Sequence, residues 1–147
     1  IEGAKTEEKA GYLYVTKQWT GTEIVELEFP MEVRLVQTNP KVRENIGKIA
    51  VVRGPIVYCL EEADNGADLH LVSLSPKAVC KVKAEEIAGE PVKTVLTEGF
   101  RQENPEEEEL YTIAEADTEI PAKLKFIPYY VWANRGENEM TVWVKKA

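Results

Sequence analysis

Hydrophobic and polar positions along this chain repeat mostly with a period of two, the signature of strands with one buried face. Over residues 12–17, Leu13 and Val15 share one face and Tyr12 and Tyr14 the other. Thr20-Gly21-Thr22-Glu23 breaks the pattern as a hairpin turn does. Alternation resumes over 23–29, with Val25, Leu27 and Phe29 inward and Glu26 and Glu28 outward, until Pro30 interrupts. A third segment, 32–38, turns Val33 and Leu35 inward and ends at Asn39-Pro40, a turn dipeptide. Residues 41–47 are polar and read as a connection.

The runs 48–52 and 56–60 are denser and lack clean alternation, as in strands covered on both faces. Arg53, Gly54 and Pro55 separate them and predict a tight strand-to-strand turn, with Pro55 outside the ladder. A turn-rich loop around Asp64-Asn65-Gly66 leads to a short strand near 70–74. Strands follow over 78–82, through Val79 and Val82, and over 92–97. An acidic connection spans 101–111. Leu124 and Phe126 then point inward, 134–140 forms a loop, and 141–147 closes the chain as one strand with Val142 and Val144 on one face. No segment predicts a helix of ten residues, and 83–90 forms one helical turn at most. The expected fold is all-β, an antiparallel β-sandwich of jelly-roll type with little or no helix.

A length of 147 residues suits one domain, or one domain with a fragment of another. The net charge of −8 opposes non-specific binding to nucleic acid or docking on anionic membranes. No apolar run approaches the roughly 20 residues of a membrane helix. The polar N-terminal segment lacks a signal-peptide pattern, and Ile1 in place of Met suggests a processed chain or a piece of a longer one. The compartment, cytoplasmic or periplasmic or secreted, stays open.

Candidate chemistry is sparse. Cys59 within the second dense run has no sequence neighbour to lower its pKa except Arg53 across a turn, so packing is the simpler reading. Cys80 and Cys59 could pair but are expected to be free, and with His70 they make a poor zinc set. Glu106–Glu109 with Glu103, and the Asp64–Asp68 loop, offer oxygens for Ca²⁺, but solvation and turn geometry explain them as well. No motif singles out a carboxylate pair for glycoside hydrolysis. Tyr129, Tyr130 and Trp132, with Trp143 on the following strand and Asn134 and Arg135 beside them, have the composition of a carbohydrate-binding platform. A core or interface cluster is the competing account.

Three stretches carry a family resemblance. GKIAVVRGPIVYCLEEADN (47–65), PYYVWANRGENEMTVWV (128–144) and GYLYVTKQWTGTEIVELEFPMEVRLVQTNPKVREN (11–45) resemble glycoside hydrolase family 127, the bacterial β-L-arabinofuranosidases. The resemblance weakens over 74–120. It implies an (α/α)6 barrel followed by β-sandwich domains, of which this chain would be the tail. Residues 1–38 would be the last strands of the preceding sandwich and 39–147 the complete C-terminal sandwich. It implies a zinc-assisted retaining mechanism whose three cysteines and glutamate lie in the absent barrel. Cys59 and Cys80, 21 positions apart, match none of those motifs. The expectation is a non-catalytic accessory domain with no cofactor of its own. It would pack on the barrel and first sandwich of the same polypeptide, and a homodimer is open to it. A carbohydrate-binding module using the C-terminal aromatic cluster is the alternative.

Overall fold

A computed structural model describes residues 3–103, 110–111, 113–114 and 118–147; the acidic run Glu106–Glu109 lies outside them. The chain divides into two units, Ile1–Pro30 and Met31–Ala147. The segment Val33–Val36 pairs in register with Ala50–Arg53 of the second unit.

In the first unit, β1 (Lys5–Lys9) and β2 (Tyr12–Thr16) form an antiparallel hairpin with Lys9 opposite Tyr12. Its loop is Ala10-Gly11, both at positive φ, the type I′ conformation that matches strand twist. The all-polar β1 gave no alternating signal. The expected strand over 23–29 is absent, and Ile24, Leu27 and Phe29 are 87%, 65% and 68% exposed. Alternation specifies a strand only where a neighbouring strand and an apolar layer exist to receive it, and here β1 and β2 pair with each other alone.

The second unit holds β3 (Val33–Val36), β4 (Lys48–Arg53), β5 (Ile56–Glu61), the short helix α1 (Glu62–Asn65), β6 (Val72–Leu74), β7 (Lys81–Ile87), β8 (Glu90–Gln102), β9 (Glu119–Pro128), β10 (Met140–Thr141) and β11 (Val144–Lys146). The fold is all-β, as expected. The strand order β5-β9-β8-β6-β11-β4 closes on itself through a β4–β5 pairing, with β3 and β10 outside the circuit and β7 on β8. All pairings are antiparallel except β6–β11. At 13 residues, β8 is long enough to serve three neighbours. Its first half meets β7, its second half meets β6, and its other edge meets β9.

Residues 83–90, expected to hold a helical turn, are instead a hairpin. Ile87 pairs with Glu90 across Ala88-Gly89, again both at positive φ. The expected single C-terminal strand is two. The β4–β5 ladder has only the pairs Val52–Val57 and Arg53–Ile56, after which the strands diverge. The C-terminal segment straddles that split: β10 joins β5 at Leu60–Glu61, and β11 joins β4 at Lys48–Ile49.

The β5 run is dense because both its faces are covered. Tyr58 and Leu60 enter one core with Val51, Val95, Phe126 and Val144, while Cys59 enters a second with Ile87, Ile127 and Val131. Gly99 on β8 lets three strands approach: a Cβ there would lie 2.6 Å from the Ser73 carbonyl oxygen and 2.5 Å from Leu124 Cδ1. Gly99→Ala is therefore expected to destabilise the second unit by about 1–3 kcal/mol, the usual cost of overpacking. A urea midpoint lowered at unchanged m-value would verify this, and an unchanged midpoint would contradict it.

Candidate functional site

The C-terminal aromatic cluster begins where Pro128 ends β9 and a 3₁₀ turn, Tyr129–Val131, follows. Three consecutive residues on such a turn point in three directions. Val131 enters the core, at 3% exposure. Tyr129 stacks on Trp132, with ring centroids 6.1 Å apart and planes at 21°. Tyr129 also lines an open hollow of about 540 Å³ with Asn45, Lys48, Val57, Met140 and Trp143. Tyr130 faces away, into a separate cleft of about 210 Å³ bounded by Arg53, Tyr58, Glu85 and Lys93. The aromatic residues thus divide between two surfaces.

The polar members divide further. Asn134 is exposed, and its side-chain amide donates to the Val131 carbonyl at 3.2 Å. Arg135 folds inward onto Glu61, a carboxylate with no exposed surface at the end of β5. Its Nε donates to Glu61 Oε2 at 3.0 Å, with a second bond from Nη2 to the same oxygen. Nη2 also donates to Asp64 Oδ2 at 2.6 Å. The other Glu61 oxygen accepts the Ala133 backbone N–H at 3.0 Å. Arg135 is engaged with this structural pair rather than aligned with the aromatic rings.

The chain of charges continues. Asp64 Oδ1 and Glu85 Oε2 both lie 3.0 Å from Lys125 Nζ, and the Thr94 hydroxyl donates to Glu85 Oε1 at 2.7 Å. Burial alone would raise the Asp64 pKa, but Arg135 and Lys125 more than offset it and hold the carboxyl below its ordinary range. The Thr94 bond and Lys125 do the same for Glu85. Burial opposes the Lys125 charge, yet Asp64 and Glu85 together raise its pKa. The two Asp64 oxygens are each met by a cation, which explains that loop without Ca²⁺. Asn65 adds a neutral clamp: its amide donates to the Lys125 carbonyl at 3.0 Å and accepts the Lys125 N–H at 2.9 Å. This exchange extends the β5–β9 ladder past the point where the backbone turns into α1. Sequence reading missed Glu61, Lys125 and Glu85 as a set; the only signal was an acidic pair placed directly after an apolar run.

Cys59 is a free thiol with no exposed surface. Burial, reinforced by the Glu61 charge, pushes its pKa to about 12. Such a thiol stays protonated near neutral pH and is sealed from solvent. Cys80 is also free and half-buried, and its pKa is raised by burial. His70 is exposed on a 3₁₀ turn. Among the described residues no three His, Cys, Asp or Glu side chains are grouped closely enough to hold a metal ion. Gly54 and Pro55 form a two-residue turn with Gly54 at φ +56° and Arg53 paired to Ile56.

Comparison with known proteins follows this geometry. Residues 33–145 match the family described as glycoside hydrolase family 127 C-terminal domain. The chain is 36% identical over 143 residues to a non-reducing end β-L-arabinofuranosidase of Bifidobacterium longum, covering 92% of this chain and 21% of that protein. A solved family 127 β-L-arabinofuranosidase from Geobacillus stearothermophilus T6 superposes with TM-score 0.75 at 33% identity, over 92% of this chain and 19% of that one. A second structure, described as a glycoside hydrolase, gives TM-score 0.81 at 28% identity, over 97% of this chain and 24% of its own length. The chain thus spans about a fifth of the length of these relatives.

Two outcomes follow from the charge chain. Arg135→Met leaves the buried Glu61 carboxylate without its cation and should cost about 3–5 kcal/mol in chemical denaturation. The second outcome is pH dependence. Asp64 and Glu85 have folded pKa values lowered from 3.8 and 4.5, so their contribution is present above those values and lost as pH falls through the folded ones. Lys125 is raised from 10.5, so its contribution is present below that value and lost as pH rises through the folded one. Stability should therefore hold a plateau between the acid limit and the thiol range and fall at both ends; the buried Cys59 thiol, raised from 9.0, adds to the alkaline fall, so Lys125→Met should lessen that fall without abolishing it and leave the acid one, as urea denaturation across pH would read.

Proposed function

Because the chain belongs to glycoside hydrolase family 127, as that family's C-terminal domain, we propose that it is a non-catalytic structural part of a larger β-L-arabinofuranosidase-like enzyme. Residues 31–147 supply a rigid sandwich, and residues 1–30 are the last strands of the sandwich that precedes it. One observation carries this reading. Val25, Leu27 and Phe29 form a core-type alternating face, yet they lie exposed and outside any strand. Such a face is complete only against further chain, and the relatives extend about five times the length of this one. Among the described residues, Cys59 is committed to the core, and Glu61, Asp64 and Arg135 to one another. The zinc and the nucleophile of the parent enzyme belong, on this reading, to its barrel. A homodimer through the same exposed surfaces is compatible with it.

A second reading rests on the stacked Tyr129–Trp132 pair beside the hollow of about 540 Å³. Exposed stacked rings offer the flat apolar faces on which sugars pack, so the domain would hold an arabinoside for the parent enzyme.

Hydrogen exchange separates structural completion from its absence. The 24–29 amides are expected to exchange freely in this chain and to become protected in a chain extended upstream through the barrel; equal exchange in both would refute the assignment of residues 1–30. The isolated chain is expected to release no aryl alcohol from aryl arabinofuranosides, and turnover abolished by Cys59→Ser would overturn the non-catalytic reading. Saturable quenching of tryptophan fluorescence by arabinosides, lost in Trp132→Ala, would favour the second reading.

A further inference from the structure

Asn65-Gly66 is the one Asn-Gly pair in the chain, and both residues hold structural posts. Gly66 caps α1 at φ +79°, a conformation that favours glycine. Asn65 commits its whole side-chain amide to the clamp on β9. Its Nδ2 donates to the Glu61 carbonyl at 2.9 Å and to the Lys125 carbonyl at 3.0 Å, and its Oδ1 accepts the Lys125 N–H at 2.9 Å. The Gly66 N–H is engaged too, donating to the Glu62 carbonyl at 2.7 Å. Arg101 pins the same loop. Its Nη2 donates to the Asn65 carbonyl at 2.7 Å, and its Nη1 donates to the Ala67 and Asp68 carbonyls at 2.7 and 3.2 Å. The segment nonetheless lies at the surface, with Asn65 half-buried and Gly66, Ala67 and Asp68 exposed.

From this arrangement we propose that Asn65 is a deamidation site gated by the β9 clamp. An asparagine followed by glycine closes readily to a cyclic imide, because no Cβ shields the following nitrogen. The Gly66 nitrogen loses its proton and bonds to Asn65 Cγ; the Cγ–Nδ2 bond breaks and Nδ2 leaves as ammonia. The succinimide then takes up one water. Opening at Cγ leaves an aspartate, and opening at the main-chain carbonyl leaves an isoaspartate whose backbone runs through Cγ. In the closed clamp both reacting groups are held, the amide by its three hydrogen bonds and the nitrogen by its bond to Glu62. Reaction therefore requires the clamp to open, a local event that needs no global unfolding. The product cannot close it again. A carboxylate has no proton to give the Glu61 and Lys125 carbonyls, which would meet an anion where they now meet a donor. It also adds a negative charge to a segment that already carries Glu61, Glu62 and Asp64. Deamidation thus records how long the clamp has stood open, and makes the opening permanent. The site is independent of whether the domain is structural or sugar-binding.

The test incubates the full chain at mildly alkaline pH, folded and in urea, and reads amide-to-acid conversion at Asn65 by peptide mass spectrometry. Conversion is expected in urea and should be more than about tenfold slower in the folded chain, a ratio set by local opening. Arg101→Gln, which frees the loop without touching the Asn65 side chain, should speed conversion in the folded chain; Arg101→Lys, which keeps the charge and loses the fork of donors, serves if the first variant unfolds. By hydrogen exchange, the Lys125 amide should lose protection in the converted chain and in Asn65→Asp, while the Val95 amide in the core of β8 keeps it. Equal conversion in the folded chain and in urea, or an unchanged rate in the folded Arg101 variant, overturns the gating. A converted chain with full protection at Lys125 overturns the permanent opening, and no conversion at Asn65 in urea overturns the site.

Discussion

The Glu61 carboxylate, with no exposed surface, terminates a strand whose preceding residues are core on both faces. A buried carboxylate carries a desolvation penalty of several kcal/mol unless matched at close range. The match here comes from Arg135, more than seventy residues later, and from the Ala133 N–H. Meeting that requirement fixes the path of the chain after β9, because residues 133–135 must return to the end of β5. The same guanidinium holds Asp64, and through Asp64 the charges pass to Lys125 and Glu85. One penalty thus ties β5, α1, β9 and β7 into a single register. Replacing all these charges with well-packed apolar groups could match them in stability; what the ion chain adds is a unique set of partners.

Strands lying between two apolar layers were the most legible part of the sequence. The 48–52 and 56–60 runs, Leu124 and Phe126 all supply residues to the core, as their patterns predict. Elements dependent on a partner were not legible. The KTEEK strand has no apolar residue, and only its hairpin partner makes it a strand. Residues 23–29 show the converse, a strand pattern without neighbours to pair with. The Ala-Gly hairpin loops escaped notice because Ala at positive φ is disfavoured in isolation, and the paired strands impose it.

For the candidate site, residue types were legible and their directions were not. Tyr129, Tyr130, Trp132, Asn134 and Arg135 are neighbours in sequence, but a 3₁₀ turn rotates them apart. Arg135 looked like a ligand-facing cation beside aromatic rings; its real partner, Glu61, is far away in sequence and buried. Only the fold reveals that pairing. Cys59 was legible, since the absence of any activating neighbour in sequence corresponds to a thiol sealed in the core.

The way the circuit of strands is closed bears on how this domain assembles. The parallel β6–β11 pair and the antiparallel β11–β4 pair are made by Val144–Lys146, the last of these strands to leave the ribosome. Until then β4, held by β3 and the short β5 hairpin, and β6, held by β8, each present an unsatisfied edge. Closure in this order makes the circuit dependent on Val144–Lys146, and without that strand it would stay open as a sheet with two sticky edges.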